Sequence, residues 1–258
     1  MSKTLHPGLR EAEAADLLAA EQIAALVAPV VDRLRLAVHH SMQAAVAATA
    51  REHALDKPMA MVIGNLRNLA PGQMVARSAV EAIYIYAGTS AIEHGIDGLI
   101  HVGLVKEAAD SRVCLSERGQ SLVSEIHRIG ATAATGLWAG HEERVSALAG
   151  LAARAVHAAA ADGGDTFTLL APSQEPAGAS DAALLSERLT GLRFHRFDAH
   201  VAAWRAAGLT ADQIKALPAG AARAAIEADT NRRASTPYAA LEPSERLEFL
   251  AGLGALPG

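Results

Sequence analysis

The chain has 258 residues, enough for one large core or two small ones, and its 51% hydrophobic content excludes a disordered protein. A formal charge of −5 argues against a general binder of nucleic acid or of anionic membrane, and no apolar run approaches the about 18 residues needed to span a bilayer. Only 3% of residues are aromatic, so the cores must be assembled from Ala, Leu, Val and Ile at helical spacing, which predicts a mainly α protein.

Met1 to Leu9 lacks the apolar stretch of a signal peptide, and the single cysteine, Cys114, cannot form an intrachain disulfide. Both fit a soluble cytoplasmic protein. Glu11 to Val27 reads as an Ala-rich helix closed by Pro29, and Val30 to His53 as a second, amphipathic one with Val31, Leu34, Val38, Met42 and Ala45 on one face. A short helix from Met59 to Leu69 lies between the turns Asp56-Lys57-Pro58 and Pro71-Gly72. No G-x-G-x-x-G or G-K-[ST] sequence occurs, so no nucleotide cofactor is implied.

The most informative stretch is Met74 to Arg128. A helix over Met74 to Ala87 is stopped by Gly88, and a second opens on the S-x-x-E capping box Ser90 to Glu93 and ends at Gly103. Leu104-Val105 and Arg112 to Leu115 read as two strands around the polar tip 108–111, and Ser116 caps a long helix. This order, ending in GLVKEAADSRVCLSERGQSL, resembles the MarR-type winged helix-turn-helix regulators, whose wing commonly returns through a similar L-[ST]-x-x-G step. The resemblance implies a winged-helix-like domain, a dimer with a second copy or a related chain made through the terminal helices, and a reading helix over Ala91 to Val102.

Wound at about 100 degrees per residue, that reading helix buries Ile92, Ile96, Leu99 and Ile100 and presents Ala91, His94, Asp97, Gly98 and His101, with Glu93 at the edge. It contains no Arg or Lys, and its carboxylates repel a duplex. Phosphate contact would rest on Arg77, Lys106, Arg112 and Arg118. His94, Asp97 and His101 share a face in the manner of metal ligands, although three polar residues on an exposed helix are ordinarily solvated, and no metal is assigned.

Beyond this region, Glu117 to Trp138 and Glu142 to Ala161 are helical, the turn Asp162-Gly163-Gly164-Asp165 follows, and 171–180 reads as a linker. The chain is accordingly divided into 1–140, helical dimerisation and winged-helix-like, and 141–258, a C-terminal helical subdomain. Asp181 to Ala207 forms one long helix ended by Gly208, Thr210 to Gln213 is a capping box, and helices around Ala221 to Ala228 and from Pro243 complete the chain. In the long helix Phe194, Phe197, Val201 and Trp204 define an apolar face that also holds Arg193 and His200, with Asp198 at its edge and His195 and Arg196 pointing away. Arg196, Asp198, Ala199, His200 and Trp204 match an R-x-D-A-H-x-A-A-W helix followed by a G-L-T turn, and this resembles a mostly uncharacterised actinobacterial family of winged-helix-like proteins to which no reaction is assigned.

Two functions follow as expectations. One is a small-molecule-binding protein or cofactor-independent biosynthetic enzyme on a scaffold that has lost DNA reading. Asp198 and His200 would transfer protons in acid–base, elimination or cyclisation chemistry, and Arg193, Phe197 and Trp204 would bind substrate. The other is a ligand-responsive transcriptional regulator that contacts DNA through Arg77, Lys106, Arg112 and Arg118.

Overall fold

The computed structural model describes residues 19–86, 89–171, 175 and 178–258. It opens on α1 (Ala20–Glu52), followed by α2 (Lys57–Asn65), a 3-10 turn at Leu66–Asn68, β1 (Val75–Ala76), α3 (Arg77–Ala82) and α4 (Thr89–His101). A hairpin of β2 (Val105–Glu107) and β3 (Arg112–Leu115) leads into α5 (Glu117–Leu137) and α6 (Glu142–Ala159). The remaining helices are α7 (Asp165–Leu170), α8 (Asp181–Ala206), α9 (Ala211–Ala216), α10 (Ala221–Arg233), α11 (Thr236–Ala239) and α12 (Pro243–Gly254). The protein is mainly α with one small antiparallel sheet, strand order β1-β3-β2. Among the described residues no helix is long and apolar enough to cross a membrane.

The first correction concerns Pro29, which does not end a helix: α1 runs through it. A proline inside a helix removes one backbone donor and crowds the preceding turn. Here its ring lies on the exposed side, while Ile23, Ala24, Val27, Val31, Leu34 and Val38 form an unbroken buried stripe across it, and packing of that stripe outweighs the local cost. Residues 11–18 of the expected first helix lie outside the described residues. The stripe packs on Leu148 and Ala152 of α6, Leu185, Leu189 and Leu192 of α8, and Phe249 and Leu253 of α12. Arg33 adds polar ties, donating to the carbonyls of Leu253 (3.1 Å) and Leu256 (2.9 Å), which satisfies acceptors at the end of α12. This largest core therefore draws on both sides of residue 140.

A second core lies under the sheet. Met59, Val62 and Ile63 of α2 meet Ile92, Ile96 and Leu99 of α4, together with Leu104, Val113, Leu115 and Leu122. Gly95 lets α2 and α4 approach, since a Cβ there would lie 2.8 Å from the carbonyl oxygen of Pro58. Gly98, expected to face outward, instead packs on the Met59 side chain. The helix expected over Met74 to Ala87 is also shorter than its pattern suggested. Val75 and Ala76 pair with Val113 and Arg112 as a third strand, leaving only Arg77–Ala82 helical, and Gly88 lies outside the described residues. A β-bridge two residues long carries no alternation that could announce it.

Register in the hairpin, Val105 opposite Leu115 and Glu107 opposite Val113, turns Val105, Val113 and Leu115 inward. Ser111 takes a left-handed φ of 58° at the tip, which closes the four-residue loop as its amide donates to the Ala108 carbonyl. Ser116 caps α5 as expected, its hydroxyl oxygen accepting from the Gly119 amide at 3.1 Å.

Candidate functional site

α8 is the axis of the molecule. α1, α5, α6, α7 and α10 all pack on it, so it has no outward face over its middle turns, and a helix packed all round must find a partner for every polar side chain it carries. This corrects the expectation for His195 and Arg196. His195 is 3% exposed, its Nε2 lies 2.9 Å from Asp162 Oδ1, and its ring meets Phe167 edge to face. Arg196 Nη1 donates to Asn231 Oδ1 (2.8 Å) and Nη2 to Glu227 Oε2 (3.2 Å). The Asp162 to Asp165 turn is shaped by the same packing: a Cβ on Gly163 would strike the Phe167 ring and one on Gly164 the Asp198 carboxyl group.

Where α1, α8 and α10 converge they leave a cleft of about 240 Å³, also lined by Tyr238 of α11. The cleft brings together Arg193, Phe197 and His200, as the wheel placed them. Arg193 sits at the mouth with its Nε donating to Asp32 Oδ1 of α1 at 2.9 Å, and its guanidinium lies 5.3 Å from the centre of the Phe194 ring. Both of its Nη groups are without an ion pair among the described residues. His200 Nδ1 is 3.1 Å from the hydroxyl oxygen of Thr230. Burial pushes the imidazole below its usual range, Arg196 and Arg223 act in the same direction, and Glu227 opposes them.

Asp198 and Trp204 lie elsewhere. Residues two apart on a helix do not face each other, and Asp198 points from α8 toward α7, where its Oδ2 accepts from the Phe167 amide at 2.7 Å. The carboxylate does for α7 what its N-cap, Gly164, has no side chain to do. Burial raises the Asp198 carboxyl above its usual range in spite of these bonds. Trp204 belongs to a third core with Val201, Ile214 and Ile226, and its indole N–H donates to the Tyr86 hydroxyl at 2.8 Å. The carboxylate nearest His200 is Glu227, whose Oε1 is 3.9 Å from Nδ1. Asp198→Ala is accordingly expected to cost about 1–3 kcal/mol of stability by stripping the Phe167 amide of its acceptor. The change should be read in denaturant midpoints, with the residues lining the cleft left in place.

Glu227, Thr230 and Tyr238 went unnoticed in the sequence. Glu227 and Thr230 stand three apart on one face of α10, but nothing in that spacing says that the face meets α8.

On the opposite side of the molecule, α4 buries Ile92, Ile96 and Leu99 and exposes Ala91, Glu93, His94, Asp97 and His101. Arg77 is surrounded by carboxylates at Glu81 (3.4 Å), Asp97 (2.8 Å) and Glu107 (3.6 Å). Burial opposes its charge, but these partners outweigh it and hold Arg77 above the usual arginine range. Arg112 pairs with Asp110 at 2.7 Å, Arg118 donates to the Val102 carbonyl at 2.9 Å, and Lys106 is exposed. His94 bonds Asp56 Oδ2 at 2.8 Å, so His94, Asp97 and His101 do not converge, and among the described residues no group of three metal-ligating side chains is assembled.

Comparison with family models, with curated proteins and with solved structures finds no match to this chain.

Proposed function

We propose that this protein binds a small anionic molecule in the cleft between α1, α8 and α10, on a winged helix-turn-helix scaffold of the MarR type that has given up reading DNA. The observation that carries the reading is the cleft itself: an arginine with open Nη groups, an aromatic wall at Phe197 and a half-buried histidine converge on one space. An arginine fork suits a carboxylate or phosphate, and the apolar wall suits an organic body.

Two features support the scaffold part. The order α2, β1, α3, α4, β2, β3 with strand order β1-β3-β2 is compatible with a winged helix and supports that reading. Within it, Arg77, a basic residue beside the reading helix, is neutralised by Asp97 of that helix and by Glu107 of the hairpin. Releasing it to DNA would leave those carboxylates facing the duplex.

The test has two arms. Duplex DNA titrated across a salt series is expected to show no binding tighter than about 10⁻⁴ M even at low salt. A steep salt-dependent affinity would restore the regulator reading, with Lys106 and Arg118 as phosphate contacts. In the second arm, thermal-shift screening against carboxylated and phosphorylated metabolites should yield ligands whose Kd rises about 10–100-fold in Arg193→Met, the loss of one charge-assisted hydrogen-bonding group. Ligands indifferent to that change would place binding outside the cleft.

A further inference from the structure

Two groups in the cleft have hydrogen-bonding capacity that the described residues leave unused. Tyr238 is 5% exposed, yet its hydroxyl has no partner among the described residues. It is also absent from the sealed, unpaired polar atoms, of which Gln120 Nε2 is the sole example among the described residues. The hydroxyl of this otherwise buried ring therefore keeps some exposure, and Tyr238 lines the cleft. A tyrosine buried to that degree ordinarily finds a partner for its hydroxyl, and a molecule held in the cleft could supply one.

The second group is His200, whose tautomer follows from its neighbour. Thr230 is 1% exposed and its hydroxyl donates to the Ile226 carbonyl at 2.8 Å. A hydroxyl has one proton, so toward His200 the same oxygen must accept. Nδ1 thus carries the N–H, and the lone pair of the neutral ring sits on Nε2, which has no protein partner among the described residues. Burial favours the neutral ring, and it likewise drives the Tyr238 phenol well above its usual range, keeping it a donor. The charge of Arg196 acts on that phenol in the opposite sense, favouring negative charge beside it.

Resting on the ligand-cleft reading, we propose that the cleft enolises an anionic carbonyl compound, with His200 Nε2 as the base, the Tyr238 hydroxyl as the donor to the carbonyl oxygen, and Arg193 as the anchor of the anionic group. The Nε2 lone pair takes the proton from the carbon beside the carbonyl. The C–H electrons become the enolate double bond, and negative charge collects on the oxygen held by Tyr238. Return of the proton from Nε2 to carbon restores the compound with no oxidant or second reactant consumed. Both groups touch the substrate, and Thr230 is the positioning residue that sets the tautomer.

The test is hydrogen exchange in D₂O with pyruvate and phenylpyruvate as probes, followed by proton NMR at the carbon next to the ketone. Wild-type protein is expected to accelerate exchange over buffer. His200→Asn leaves an amide to donate to Thr230 but has no base, and should lower the protein-dependent rate at least about 100-fold. Tyr238→Phe removes a hydroxyl that bonds nothing among the described residues, so the thermal midpoint should hold while exchange falls about 100-fold. Exchange at the wild-type rate in His200→Asn would overturn the proposal, as would wild-type protein that does not accelerate exchange. Saturation-transfer NMR on the same samples then tells the two ideas apart. Probes bound in an Arg193-dependent way without exchange leave the ligand cleft standing and remove only the base, whereas probes that neither bind nor exchange remove this ligand class from the cleft as well.

Discussion

Gly119→Ala is expected to destabilise the protein by about 3 kcal/mol, toward the upper end of overpacking costs. A Cβ at this position would sit 2.1 Å from the carbonyl oxygen of Leu104 and 3.3 Å from the Leu115 side chain. The obstacle cannot swing aside, because that same carbonyl accepts from the Ser116 amide at 3.0 Å. Ser116 is in turn held by donating to the Gly103 carbonyl (2.7 Å) and accepting from the Gly119 amide. Relief would require the first turn of α5 to lift off the hairpin, taking the capping bond with it. Gly136 is the control: it lies in the same helix with nothing within 4 Å of its would-be Cβ, so Gly136→Ala should stabilise by about 0.5–1 kcal/mol. Denaturant titrations of the two alanine variants should move in opposite directions. A Gly119 variant as stable as wild type would mean that the hairpin and α5 are not packed as described.

Trp138→Ala is expected to cost about 3–5 kcal/mol, the range for emptying a buried aromatic site. Trp138 is 2% exposed at the end of α5, and its indole N–H donates to the carbonyl of Pro257 at 3.2 Å. Its ring belongs to the core that α1 shares with α6, α8 and α12. The loss should therefore appear as a single unfolding transition shifted to lower denaturant, because the segments before and after residue 140 bury the same surface. Two separated transitions in the variant would show that the C-terminal helices unfold independently, as expected of a division of the chain near that residue.

Much of the local structure was legible because it is written in short-range chemistry. Ser116, the Thr210–Gln213 box and Pro243 each open a helix where the sequence places one, since caps act within a single turn. The burial of Ile92, Ile96 and Leu99 in α4 followed from periodicity, and so did the grouping of Arg193, Phe197 and His200, which needs only a helical rise and rotation. The L-[ST]-x-x-G step was visible as a pattern, but its glycine is explained only by the carbonyl of Leu104 lying against it.

What the sequence by itself determined was therefore the helical class, the caps at Ser116 and Thr210, and the shared face of Arg193, Phe197 and His200 on α8, all consequences of interactions within a few residues of each other; the expected cap at Ser90 instead lies inside α4. The tertiary structure alone decided the rest. It carried α1 through Pro29, because the buried stripe on both sides gains more than one backbone bond is worth. It turned Asp198 toward α7 and sealed His195, because five helices leave α8 no outward face. It also set Thr230 against His200 and brought Tyr238 to the same cleft, a meeting of residues from three helices that no spacing along the chain encodes.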